Sequence, residues 1–138
     1  MAGLATRLAE AEAAIATLDE AVGRTPRSVM ERDGAILRLI YTFEAVWKAC
    51  QQLLAEREDI EVASPNTTIR AARRLGWLSD ADAEAAMKIG RDRNLAVHMY
   101  RGQIGAEIDE RLAGHAILLR RWVAAMRRHA GTAQELGK

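Results

Sequence analysis

The sequence predicts an all-α protein, an up-and-down antiparallel bundle of about five helices that forms a single domain over residues 1–138. Apolar residues recur at intervals of three and four along most of the chain, which is the spacing of one helix face. No segment has the alternating, β-branched pattern of a strand. Only two prolines occur, and each follows a serine or a threonine, as at the start of a helix.

The first two helices are predicted from an apolar stripe and from capping residues. The stripe over residues 4–22 predicts about five helical turns that end at Gly23. Thr25 followed by Pro26 has the form of an N-cap and a first helical residue. We therefore expect the second helix to begin there and to continue to about Arg57.

Three further helices are predicted in the rest of the chain. Ser64-Pro65 opens a short basic helix, and Ser79 caps a fourth helix that extends to the neighbourhood of His98. The last helix spans about residues 103–128, and residues 131–138 are expected to fray.

The formal net charge of +1 conceals a division between the two halves of the chain. Residues 1–64 carry 7 basic and 11 acidic side chains, whereas residues 65–138 carry 13 basic and 8 acidic ones. A basic half suits a phosphate-rich ligand. The plainer interpretation is that these charges belong to solvated helix faces.

The rest of the composition excludes several classes of protein. Cys50 is the single cysteine and lies in an apolar helical stripe, which predicts a buried thiol rather than a reactive one. Three scattered histidines lack metal-ligand spacing, and no cofactor motif occurs, so neither a metal nor a cofactor is predicted. No signal-like start or apolar run of membrane-spanning length is visible, so we expect a cytoplasmic protein without membrane association.

The strongest candidate site is the run Arg-Asn-Leu-Ala-Val-His-Met-Tyr at residues 93–100. Arginine binds phosphate through a planar fork of donors, and histidine transfers protons near neutral pH. The side chains of Arg93, Asn94, His98 and Tyr100 are therefore suited to binding and cleaving a phosphodiester.

Helix geometry constrains how this motif can work. On a straight helix Arg93 and Tyr100 share a face, whereas Arg93 and His98 are about 140° apart. Either the helix breaks near His98, or a second copy across a two-fold axis completes the site. The alternative is structural: Arg93 pairs with Asp92 or Glu44, His98 is a satisfied polar residue at a helix end, and Tyr100 is an interface residue.

Other polar and aromatic residues are candidates for a place beside the motif. His115 lies in an apolar stripe and is predicted to be a core or interface histidine. Trp77 is a possible base-stacking residue, although core packing is the expectation for all three tryptophans. Phosphate contacts are predicted for five arginines of the basic half, namely Arg70, Arg73, Arg74, Arg91 and Arg101.

Three segments in this order resemble the HEPN superfamily, and within it the nucleotidyltransferase substrate-binding proteins related to HepT toxins. The segments are residues 38–48 (Arg-Leu-Ile-Tyr-Thr-Phe-Glu-Ala-Val-Trp-Lys), Ser64-Pro65 with Ile69-Arg70, and Arg93-Asn94 through His98-Met99-Tyr100. The resemblance implies a helical bundle that forms a homodimer and pairs with a minimal nucleotidyltransferase.

The resemblance also implies roles for the motif residues. In HepT-like pairs the helical protein is a metal-independent RNA-cleaving toxin, and the nucleotidyltransferase is an antitoxin that adenylylates the motif tyrosine. Arg93 and His98 would then be catalytic, Asn94 supporting, and Tyr100 the adenylylated residue. Two alternatives stay open: a non-catalytic subunit that presents substrate to the nucleotidyltransferase, and a plain helical dimerisation module.

Overall fold

The computed structural model describes residues 3–100 and 102–131. Within these residues it contains five α-helices and no strand, so the predicted fold class is confirmed. In chain order the helices are α1 (Leu4–Val22), α2 (Val29–Glu58), α3 (Pro65–Arg74), α4 (Asp80–Met99) and α5 (Gly102–Ala130). The predicted fraying of residues 131–138 concerns a segment that lies outside the described residues except for Gly131.

Side-chain contacts show that α1 runs antiparallel to α2. The Thr42 hydroxyl donates to the carbonyl oxygen of Ala14, and the Arg38 guanidinium donates to that of Thr17. The single hydrogen of this buried hydroxyl is shared with the carbonyl of Arg38, one turn back, at 2.7 Å. The contact fixes the register of the first two helices.

Helix α5 runs antiparallel to α1 and therefore parallel to α2. Arg127 near the end of α5 pairs with Glu12 at 2.6 Å, and Arg120 pairs with Asp19 further along α1. The two parallel helices α2 and α5 are not adjacent in the chain, so the arrangement keeps the predicted up-and-down order.

The core contains the three tryptophans, as predicted. Trp122 is fully buried, and Trp47 and Trp77 are nearly so. Trp77 is therefore unavailable to stack on a base; its ring instead stacks on His129 at a centroid distance of 5.3 Å. Cys50 is buried, and burial raises the pKa of its thiol to about 12, which confirms the prediction of an unreactive cysteine.

The predicted start of α2 at Thr25-Pro26 is wrong, because the helix begins three residues later. Ser28 is the N-cap, and it forms a capping box with Glu31. The residues before it form a loop that Arg27 joins to two helices, with one hydrogen bond to Asp109 of α5 and others to carbonyls at the end of α1.

The predicted starts of α3 and α4 are correct. Ser64 accepts a hydrogen bond from the Thr67 amide with Pro65 at the first helical position, and Ser79 accepts one from the Asp82 amide. None of the described helices is long and apolar enough to cross a membrane.

Candidate functional site

The motif occupies the C-terminal end of α4, which packs antiparallel along α2. Arg93 pairs with Glu44, whereas Tyr100, just beyond the helix, donates a hydrogen bond to Asp33 near the start of α2. The two acidic residues are separated by about 16 Å along α2 at 1.5 Å per residue. Arg93 and Tyr100 therefore both face α2, but they do not meet.

The guanidinium of Arg93 is held on two sides. Its Nη2 donates to Glu44 at 2.6 Å and its Nη1 donates to the Asn94 side-chain oxygen at 2.9 Å. The group lies over the Phe43 ring at 6.0 Å. Its Nε is buried and has no hydrogen-bond partner within the described residues. The pairing with Glu44 is the contact that the structural alternative predicted.

Asp92, the other predicted partner of Arg93, points away into the α4–α5 interface. It accepts two hydrogen bonds of 2.8 Å from Arg111, and His115 Nε2 lies 2.7 Å from its second oxygen. Burial raises the pKa of Asp92, but the hydrogen bonds from His115 and Arg111 outweigh it and hold that pKa at about 2. The cluster joins this face of α4 to α5, whereas the neighbouring side chain of Arg93 points towards α2.

His98 is exposed near the end of α4 and has no hydrogen bond or ion pair among the residues described. The helix continues to Met99, so it does not break early enough to swing the imidazole towards Arg93. Within one subunit Arg93 and His98 are not brought together.

Tyr100 leaves the helix in an extended conformation and lies against α2 and α5. Burial and the hydrogen bond to Asp33 raise the pKa of its phenol, and Arg32 opposes them. Gly105 of α5 makes this position possible, because a Cβ there would come within 2.7 Å of the Tyr100 oxygen and 3.1 Å of Arg32 Nε.

A cleft of about 190 Å³ lies where α2, the start of α3 and α4 meet, and we call it the motif cleft. It brings together all three segments on which the family resemblance rests. Its lining residues are Phe43, Ser64, Pro65, Asn66, Met87, Gly90, Arg91, Arg93 and Asn94.

Of the five arginines predicted to contact phosphate, the structure places one beside the motif. Arg91 lines the motif cleft with Arg93. The exposed α3 side chains of Arg70 and Arg73 line a neighbouring cleft with Asp80 and Glu84. Arg74 is also exposed on α3 and lines neither cleft. Arg101 lies outside the described residues.

An exposed apolar surface adjoins the end of α4, and we call it the α2–α4 face. Met30, Leu37 and Tyr41 are spaced by seven and four residues along α2, and each is exposed. Val97 and Met99, on either side of His98, add two more exposed apolar side chains. The motif histidine is therefore flanked in the chain by exposed apolar side chains, and exposed apolar side chains that form one patch mark an interaction surface.

Three residues that line the motif cleft together with the arginines were not predicted from the sequence. Asn66 comes from the first turn of α3, whereas Met87 and Gly90 come from α4. Gly90 offered the one available signal, since a glycine inside a helix costs about 1 kcal/mol relative to alanine. The described part of the chain contains no group of three His, Cys, Asp or Glu residues that could hold a metal ion.

The chain belongs to the family described as nucleotidyltransferase substrate binding protein like, whose profile matches residues 6–128. It is similar to the protein ttk003001694 from Thermus thermophilus, whose crystal structure is known, with 44% sequence identity and a TM-score of 0.82. That match covers 86% of this chain and 99% of the Thermus chain. Comparison with curated proteins gives no significant match. The predicted family is thus confirmed at the level of nucleotidyltransferase substrate-binding proteins.

Proposed function

We propose that the protein is a HEPN-type partner of a minimal nucleotidyltransferase and acts as a metal-independent endoribonuclease toxin in the cytoplasm. The observation that carries this proposal is that the motif residues lie in two separate places on the surface of the chain. Arg93 and Asn94 line a cationic cleft, while His98 stands exposed at the end of the same helix. The two parts of the motif become one site when two subunits associate through the α2–α4 face.

The proposed homodimer accounts for the exposed apolar side chains. Tyr41 and Val97 each expose more than half of their surface in the single chain. A two-fold contact on this face would bury them and bring the two His98 side chains to the edges of a shared groove. The shared groove then combines Arg93 of each subunit with His98 of the other.

The chemistry proposed for this groove follows from the motif residues. Arg93 neutralises the scissile phosphate as negative charge develops on it. His98 removes the proton of the RNA 2′-hydroxyl, whose oxygen then attacks the phosphorus. The bond to the 5′-oxygen breaks and the leaving oxygen takes a proton from water, so the products are a 2′,3′-cyclic phosphate and a 5′-hydroxyl. Because the attacking group is the 2′-hydroxyl, DNA is not a substrate.

The proposed control by the nucleotidyltransferase acts on Tyr100. The phenol oxygen attacks the α-phosphorus of ATP and pyrophosphate leaves, so the tyrosine becomes adenylylated. Asp33, which already accepts the hydroxyl hydrogen bond, is placed to receive the phenol proton. The added nucleotide brings bulk and negative charge to the end of α4, where both oppose RNA binding.

A second candidate function is a non-catalytic subunit that presents substrate to the nucleotidyltransferase. The ion pair between Arg93 and Glu44 favours it, because the carboxylate neutralises part of the charge that a catalytic arginine would supply. The description of the family names substrate binding rather than cleavage.

RNA cleavage in the presence of EDTA separates the two functions. We expect the purified wild-type protein to cleave RNA and His98→Ala to lose the activity while keeping its oligomeric state. His129→Ala is the matched control, since His129 is also exposed but lies at the far end of α5. Wild-type protein that is folded, unmodified and inactive would favour the substrate-binding subunit.

Mass spectrometry tests the role of Tyr100. Incubation with the partner nucleotidyltransferase and ATP should add one adenylyl group to the wild type and none to Tyr100→Phe. Tyr41→Phe, which alters a more exposed tyrosine of α2, should still be modified. Modification that persists in Tyr100→Phe would refute the assignment.

A further inference from the structure

We infer that the motif cleft is a binding site for one nucleotide unit, with its phosphate on Arg91 and Arg93 and its base over the apolar floor. The inference deepens the proposed function, because Arg93 and Asn94 belong to both sites. It adds a substrate-positioning surface made by α3 and by the middle of α4, which lies outside the Arg-x4-His-x-Tyr motif.

The charge of the motif cleft is the first argument. None of its nine lining residues is acidic, whereas two are arginines. Three other surface clefts of comparable or larger size each combine acidic and basic side chains. Glu44 pairs with Arg93 from outside this lining and offsets part of its charge, so the positive charge that favours an anion comes chiefly from Arg91.

Unused hydrogen-bond donors are the second argument. Arg93 Nε is buried without a partner, which is a costly state for a charged group unless a ligand satisfies it. The Asn94 oxygen is occupied by Arg93, so its amide nitrogen remains free to donate. Arg91 is exposed and has no acidic partner among the described residues. The side chains of Arg91, Arg93 and Asn94 all line the motif cleft.

The start of α3 closes the cleft from the other side. Ser64, Pro65 and Asn66 line it, so the first turn of the helix faces the two arginines. The side chain of the capping residue Ser64 accepts a hydrogen bond from the backbone amide of Thr67, and Pro65 has no amide hydrogen. The backbone amide of Asn66 is therefore the one in this first turn that the cap does not bond. The positive end of α3 therefore adds to the field of Arg91 and Arg93.

The floor of the motif cleft suits a flat ring. Met87 and Gly90 of α4 form it, and the fully buried Phe43 lies beneath. Gly90 adds no side chain to this lining, and a Cβ at this position would lie next to the Phe43 ring at 3.5 Å, an ordinary contact distance. The amide of Asn66 lies at the rim, where it can bond the polar edge of a base.

Two kinds of ligand contain such a nucleotide unit: an RNA strand and a free nucleotide. Calorimetric titration with AMP and with a short 2′-O-methyl oligoadenylate distinguishes them, because the methylated strand binds but cannot be cleaved. Tighter binding of the oligomer assigns the cleft to RNA, and tighter binding of AMP assigns it to the free nucleotide.

Gly90→Ala is the decisive variant. The methyl group adds volume at a residue that lines the cleft and meets Phe43 at an ordinary 3.5 Å. Because the change from glycine to alanine also favours the helix, the variant should fold at least as stably as the wild type. We expect its Kd for the better probe to rise by about tenfold or more. Gly114→Ala is the matched control: it makes the same change in α5, where a Cβ meets nothing within 4 Å, and its Kd should equal that of the wild type.

A second variant tests the phosphate contact. Arg91→Gln removes one exposed charge and should weaken binding of the better probe while lowering the salt slope of log Kd by about one. An unchanged Kd in both Gly90→Ala and Arg91→Gln, or no binding of either probe to the wild type, would overturn the inference.

The inference and the proposed nuclease can fail separately. If the wild type binds a probe through the cleft but does not cleave RNA in EDTA, the nucleotide site stands and the endoribonuclease is refuted. If the wild type cleaves RNA and Gly90→Ala cleaves it with unchanged KM, the nuclease stands and the nucleotide site is refuted. His98→Ala should retain probe binding in either case.

Discussion

Replacement of Asp92 by asparagine should destabilise the folded protein by about 2 kcal/mol at neutral pH. Asp92 is 4% exposed and holds three hydrogen bonds from α5, two from Arg111 and one with His115. Asparagine keeps the size of the side chain but cannot carry the charge that these partners stabilise. Its amide group would also oppose a donor of Arg111.

The magnitude follows from the lowered pKa of Asp92. That pKa falls from its usual 3.8 to about 2. Each unit corresponds to about 1.4 kcal/mol of preference for the charged form, so the difference amounts to about 2.5 kcal/mol. Arg111 is 41% exposed and its contribution is partly screened, which brings the expected value nearer to about 2 kcal/mol.

The same shift predicts the pH dependence of the effect. The folded pKa of Asp92 lies below the unfolded one, so its contribution is complete above about pH 5 and is lost as the pH falls from about 4 to 2. The difference in unfolding free energy between wild type and Asp92→Asn should therefore be constant near neutral pH and should shrink through that acidic window.

Urea denaturation followed by far-ultraviolet circular dichroism measures this difference. Glu84→Gln is the control, because it neutralises an exposed carboxylate of the same helix and should change the unfolding free energy by less than about 0.5 kcal/mol. A difference below that limit for Asp92→Asn at pH 7, or one that stays the same at pH 2, would refute the reasoning.

Two further predictions concern buried or shielded side chains. Cys50 should not react with a thiol reagent at pH 8 in the native protein, because burial raises the pKa of its thiol to about 12. The same thiol should react fully once the protein is unfolded in guanidinium. Reaction of the native protein would contradict the burial of Cys50. In a Tyr41→Phe background, Gly105→Ala should push the Tyr100 hydroxyl away from Asp33 and lower the raised pKa of that phenol towards its usual value. An ultraviolet titration that shows the same pKa with and without Gly105→Ala would contradict this contact.

Capping residues and prolines made most helix boundaries predictable from the sequence. The start of α2 was ambiguous, because two such signals lie close together there. Thr25-Pro26 and the Ser28–Glu31 capping box lie three residues apart, and each alone would start a helix. Arg27 decides between them, because its bond to Asp109 joins the loop to a helix 82 residues away. No local pattern contains that contact.

The candidate site, too, could be predicted only in part from the sequence. The motif residues could be found from the sequence, because Arg93, Asn94, His98 and Tyr100 are neighbours in the chain with chemistry that suits a phosphodiester. The cleft beside them could not, because its floor and rim come from three helices. The resemblance selected the three segments that line it but did not show that they meet.

The sequence by itself determined the helices, the capping serines of α3 and α4, the buried tryptophans and the motif, since each depends on side chains within a few residues of one another. Only the tertiary structure decided that Asp92 turns to α5 while its neighbour Arg93 turns to Glu44 on α2. Both carboxylates were available to Arg93 as partners. The choice depends on how α4 is rotated between α2 and α5, which is set by packing across the whole bundle rather than by local sequence.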